Sequence, residues 1–220
     1  MVSSVFTPTP PKRQAISKTL FGLFLALVCP EIIVLGMASA RPHVWARELL
    51  FWGLTIVLLI YVAVVEKRPL ASIGLKRPSW RTLIFGIGCG LAMLFGIGLI
   101  YGVVFRLLHL TMNTQAVAAL LRLPFATRLL LVLRAAFFEE IAYRGYAIER
   151  LGELTGSPLL AAAIAWAAFT VAHLGYWGWA QLIVAGFAGL MLTGLYLWRR
   201  DLPCNMLAHF LTDGVGFLLR

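Results

Sequence analysis

The chain has 220 residues, of which 61% are apolar and only 13% charged, with 19 basic and 9 acidic side chains giving a net charge of +10. Soluble domains carry about 25% charged residues, so this composition, with a mean hydropathy of +0.89, excludes an ordinary soluble domain and predicts an all-α, polytopic membrane helix bundle. The basic excess fits loops at lipid phosphates rather than nucleic acid, and Cys29, Cys89 and Cys204 lack the spacing of a disulfide framework or a cysteine metal site.

In chain order, residues 1–18, with Pro8, Pro10 and Pro11, read as a flexible tail. A helix crossing the hydrocarbon needs about 20 apolar residues. Seven runs qualify as spans: Leu20–Ala40, Leu49–Val65, Leu83–Leu108, Ala126–Arg150, Leu159–Leu174, Leu182–Trp198 and Leu202–Leu219. Lys12, Arg13 and Lys18 before a run ending in Ala38-Ser39-Ala40 imitate a secretory signal. The run has spanning length and is interrupted by Pro30-Glu31, so it is read as a retained first helix. Residues 19–125 thus hold three spans and a short amphipathic helix around Asn113–Leu123, stopped by Pro124. Residues 126–220 hold the remaining four spans.

Lys and Arg set the expected orientation. The N-terminal tail and the loops on its side carry twelve, against six on the opposite side. The N-terminus is therefore expected in the cytoplasm and the protein in the cell membrane, with the C-terminus outside.

The fourth run contains Phe137-Phe138-Glu139-Glu140-Ile141-Ala142-Tyr143-Arg144. A charged side chain at mid-bilayer costs about 2.5–3.5 kcal/mol on insertion scales. Glu140 and Arg144 stand at i, i+4 in the favourable acid-first order and can pair. Glu139 is turned about 100° away on an α-helix, where Arg144 does not obviously neutralise it. A spare carboxylate in a low-dielectric setting is a candidate general base. The bland alternative is a salt-bridge cluster closing a helix at the membrane boundary.

Two of the four histidines, His43 and His109, lie near span ends. The other two lie deeper, His173 in Phe169-Thr-Val-Ala-His173 and His209 in Asn205-Met-Leu-Ala-His209-Phe-Leu-Thr-Asp213. His209 and Asp213 share one helix face. A lone intramembrane histidine is usually a helix–helix hydrogen bond. Two glutamates, two histidines and an aspartate on the last four spans look like a site, because lipid offers them no partners.

The motifs EExxxR, FxxxH and HxxxD, in this order, resemble those of the CPBP family of CAAX-processing and bacteriocin-processing membrane proteases, also called Abi, whose best-known branch is the type II CAAX prenyl endopeptidase. The resemblance covers residues 126–220. It implies an intramembrane endopeptidase in which Glu139 is the catalytic base, Glu140 and Arg144 a supporting pair, and His173 an aid to the water. His209 and Asp213 would complete the far wall. The implied partners are a membrane-associated peptide or protein, prenylated or not, and the lipid bilayer.

Two chemistries stay open. Glu139, His173 and His209 could ligate zinc, which would lower the pKa of a bound water to about 7, and the family's naming leans towards a metal. Alternatively the glutamate and histidines act directly; there is no HExxH helix. Two non-protease readings compete: a buried proton or ion site in a non-enzymatic membrane protein, and axial haem ligation by His173 and His209. Counting from the span ends puts Glu139, His173 and His209 at different depths, unless the fifth helix begins outside the hydrocarbon, tilts strongly, or a segment near Gly175-Tyr-Trp-Gly178 dips back. Interfacial anchoring is the simpler role for that segment, and for Trp177, Trp179 and Trp198. Glu31 has no visible partner, and the glycines of the third and sixth runs suit close helix packing.

Overall fold

A computed structural model describes residues 13–38 and 44–219. The first twelve residues of the expected tail, Ser39 and Ala40 of the signal-like ending, Arg41, His43 and Arg220 lie outside the described residues. Eight helices build the fold: α1 Ile16–Gly36, α2 Val44–Val65, α3 Trp80–Leu107, α4 Thr114–Leu121, α5 Phe125–Thr155, α6 Pro158–Ala172, α7 Gln181–Arg199 and α8 Leu202–Phe217. No strand occurs among the described residues, so the all-α expectation holds.

The helix starts follow from side chains that accept the orphan N–H groups of a first turn. Ser79 and Thr82 form a reciprocal capping box at α3. Asn113 accepts from the Ala116 N–H at α4, and Ser157, followed by Pro158, accepts from the Leu160 N–H at α6. Asp201 caps α8 through the Cys204 N–H and also accepts from the Thr82 hydroxyl at 2.7 Å, fastening α8 to α3. Pro124 separates α4 from α5, which meet at a bend of 119°. The short helix stopped by Pro124 is therefore present as expected.

The surface is inverted relative to a soluble protein. Leu35, Leu49, Phe95, Leu107 and Leu159 are each at least 70% exposed, whereas Glu140, Arg144, Arg150 and Asn205 are at most 1% exposed. Lipid accepts the first group, and only protein can satisfy the second. Each expected apolar run is mainly helical over its described residues, but among the described residues only α1, α2, α3 and α7 are long and apolar enough to cross a membrane alone, with the bent α4–α5 pair as a fifth. The seven-span count differs because α6, with 15 residues, is only about 23 Å long, and α8 carries Asn205, His209 and Asp213.

Close backbone approach explains part of the glycine pattern. A Cβ on Gly86 or Gly90 would lie 3.0 Å from the Cys204 carbonyl oxygen or 3.2 Å from that of Ala208, so α3 rests directly on α8. On Gly145 it would lie 2.7 Å from the Ile73 carbonyl oxygen and from a Leu202 methyl. Gly88, Gly98 and Gly194 face open space, and packing does not explain them.

The decisive local feature is in α5. Ala135–Ile148 is wound as a π-helix, with α-helical turns on either side. The i→i+5 bonding widens each turn and realigns the side chains. It also shortens the advance per residue. Because Leu202 at the start of α8 sits against Gly145, Glu139 six residues back along α5 and His209 seven residues on along α8 reach the same level. The depth mismatch expected between Glu139 and His209 is thereby removed, the two standing 4.0 Å apart.

Candidate active site

All eight of these helices contribute to the wall of a cavity of about 240 Å³, and Glu139, His173, His209 and Asp213 all line it. Glu140 and Arg144 do not line it; they stand behind its wall. Four of the six expected site residues therefore face one space, and two support it.

Glu140 is fully buried and saturated. One carboxylate oxygen accepts from Arg144 Nη1 at 2.8 Å and from His209 Nδ1 at 2.8 Å, and the other accepts from the Asn205 amide at 3.1 Å. Arg144 also donates to the Gly189 carbonyl at 3.3 Å and lies 4.0 Å from the Phe169 ring centre. Two buried charges without water need this degree of mutual bonding. The i, i+4 pairing expected from the sequence is present, and its consequence is to direct the imidazole of His209.

Glu139 is the opposite case. Its Oε1 accepts from Arg134 Nη1 at 3.3 Å. Its Oε2 is buried and accepts no hydrogen bond from the described residues, lying 4.0 Å from His209 Nε2. Asp213 Oδ2 stands 3.5 Å from the same nitrogen. The i, i+5 spacing of Arg134 and Glu139 brings the two together because π-winding begins between them.

His173 closes α6. Its Nδ1 is 2.8 Å from the Phe169 carbonyl oxygen, which accepts a hydrogen bond from the Nδ1–H and leaves Nε2 as the other ring nitrogen. The Phe169 ring connects the two histidines, with its centre 4.6 Å from that of His173 and 6.5 Å from that of His209. The Leu174–Trp177 turn follows, and Gly178 at φ +84° lets the chain reverse into α7. Trp177 lines the cavity and stacks on Phe217 at 5.8 Å, whereas Trp179 and Trp198 are about two-thirds exposed. The anchor expectation thus suits the last two, while Trp177 belongs to the cavity wall. Glu31 also lines the cavity.

Among the described residues, no group of three or more His, Cys, Asp or Glu side chains is close enough to hold a metal ion. His209 Nδ1 is engaged by Glu140 and His173 Nδ1 by a carbonyl, so Nε2 is the ring nitrogen each has for a ligand.

Sequence reasoning gave no role to Arg134, Asn205 or Glu48. Asn205 sits one turn before His209, and that spacing was a usable signal. Arg134 was hidden because i, i+5 residues do not face each other on an α-helix. Glu48 is 1% exposed and accepts from Arg134 Nε at 3.3 Å. It betrays itself only as an acid beside an apolar run.

Comparison with known proteins bears on the same segment. Residues 121–215, which include α5 to most of α8, match the family model described as Type II CAAX prenyl endopeptidase Rce1-like. No curated protein and no solved structure matches the chain. Residues 121–215 of this multi-pass membrane protein are thus similar to the Rce1-like type II CAAX prenyl endopeptidases, a family of membrane proteases.

Proposed function

We propose that this protein hydrolyses a peptide bond near the end of a prenylated, CAAX-type membrane-associated substrate, with Glu139 activating the water. The observation that carries this reading is the buried Oε2 of Glu139, which has no protein donor and faces a cavity shared with His173 and His209. The cavity is part polar and part apolar: Met93, Ile97 and Leu192 lie on its walls with the acids. That composition suits a lipid-modified peptide.

In the reaction, water held between Glu139 Oε2 and His173 gives a proton to Glu139 while its oxygen adds to the scissile carbonyl. His209, its Nδ1–H directed by Glu140, turns Nε2 towards the cavity, where the protonated ring donates to the oxyanion. Asp213 beside Nε2 favours that protonated form. Glu139 then passes its proton to the amine as the carbon–nitrogen bond breaks, leaving a new carboxylate and a free amine product. Arg144 and Asn205 hold Glu140 in place throughout. A metal ion, if bound, would polarise the carbonyl and acidify the water; the steps above use only the side chains. The lysine and arginine bias supports a cytoplasmic N-terminus, with the protein in the cell membrane.

The test is cleavage of a prenylated CAAX peptide and of its unprenylated counterpart, followed by mass spectrometry, with wild type, Glu139→Gln, His173→Ala and His209→Ala. Cleavage of the prenylated peptide that is lost in all three variants supports the reading. Retained cleavage in all three ends it, and ion flux in liposomes without peptide products favours a proton or ion site. Metal analysis of the purified protein, with and without chelator, decides between metal-assisted and direct chemistry.

A further inference from the structure

A chain of charges runs from the cavity into the N-terminal half of the bundle. Arg134 on α5 donates through Nη1 to Glu139 Oε1 at 3.3 Å and through Nε to Glu48 Oε2 at 3.3 Å. Its guanidinium carbon also lies 4.8 Å from the Phe51 ring centre, and Phe51 packs edge-on against Phe138 at 5.2 Å. Glu48 and Phe51 are buried on α2, outside the segment that matches the family model. Arg47 approaches the other oxygen of Glu48 at 3.8 Å.

The arginine is thus gripped by α2 on one edge and grips Glu139 with the other. A planar guanidinium can hold two carboxylates in fixed directions at once, which a lysine ammonium does less well. Binding Oε1 fixes the rotation of the carboxylate and leaves Oε2 directed into the cavity. The other charged or titratable groups around that space are His209 and Asp213 from α8, His173 from α6, Glu31 from α1, Arg47 from α2 and Tyr143 from α5. His209 Nε2 stands 4.0 Å from Glu139 Oε2, whereas Arg134 donates a hydrogen bond to Oε1.

We propose that Arg134, anchored by Glu48, is a positioning residue that orients Glu139 for catalysis, so that α2 is part of the working site. This rests on the reading of Glu139 as the base. Glu48 acts one step further out, through Arg134, and Phe51 holds the guanidinium flat against α2.

Two readouts test it on the full-length protein. The first is steady-state cleavage of the prenylated peptide. Arg134→Gln is expected to lower kcat by up to about 100-fold with KM little changed. Glu48→Gln is expected to lower kcat less, and Arg134→Lys to recover part of the loss. Glu48→Gln combined with Arg134→Gln is expected to be no worse than Arg134→Gln alone. The second readout does not need activity: the infrared carboxylate band of Glu139, isolated by subtracting the Glu139→Gln spectrum, is expected to shift in Arg134→Gln and not in Arg68→Gln. An unchanged kcat in folded Arg134→Gln overturns the proposal, and so does an unshifted band. If wild type cleaves nothing while the band still shifts, the protease reading fails and the contact between Arg134 and Glu139 stands.

Discussion

The two ends of the π-wound stretch of α5 handle buried charge differently. At the far end from the cavity, Arg150 donates to both oxygens of Glu66 and to Ser72, and the Tyr146 hydroxyl donates to Glu66 at 2.6 Å. Glu149 accepts from the Tyr196 hydroxyl and pairs with Arg200. Every charged group there has its partners. At the cavity end, Glu140 is equally saturated, yet Glu139 beside it keeps one buried oxygen unengaged. The same helix thus carries a fully bonded carboxylate network and, in Glu139, a carboxylate with one buried oxygen that accepts no hydrogen bond from the described residues. Adjacent identical residues have different surroundings because one is bonded to α8 and the other lines the cavity.

The sharpest way to break this contrast is Glu139→Gln. It is expected to lower kcat about 10²- to 10⁴-fold while leaving thermal unfolding in detergent unchanged; a large loss of stability instead would make Glu139 as structural as its neighbour. Next in size is Glu140→Ala, which strands the buried Arg144 and frees His209. Removing one partner of a buried ion pair costs about 3–5 kcal/mol, so this variant is expected to unfold at lower temperature and to lose activity as well. Arg150→Ala sharpens the comparison from the other end: a comparable stability loss is expected from denaturation curves, with kcat retained by the protein that stays folded. Tyr146→Phe removes one hydrogen bond to Glu66 and is expected to cost about 1 kcal/mol with no change in kcat. The smallest effect is expected for Arg68→Gln, whose partner Glu153 is about one-third exposed. Partly solvated pairs contribute roughly 0–1 kcal/mol.

The legible part of the site follows from residue type. Acids and histidines inside apolar runs mark a site because lipid cannot solvate them, and Glu140, Arg144, His209 and Asp213 read correctly as neighbours because their i, i+4 spacing survives in the structure. Arg134 was invisible for the converse reason: its contact with Glu139 needs π-helical turns, which no apolar periodicity announces. Glu48 could not be tied to the site because its partner lies 86 positions further along the chain. The level of His209 relative to Glu139 was not legible because span ends were taken as level, whereas Leu202 meets α5 at Gly145.

By itself, the sequence determined the class of molecule and the chemistry available to it. Helices must pair their own backbone groups in lipid, and apolar runs with capped starts leave them little alternative. The tertiary structure decided where the spare carboxylate points and what holds it. That choice depends on the winding of α5, on the level at which α8 crosses it and on a grip from α2. Each of these is a packing outcome among helices far apart in the chain, where local spacing carries no information.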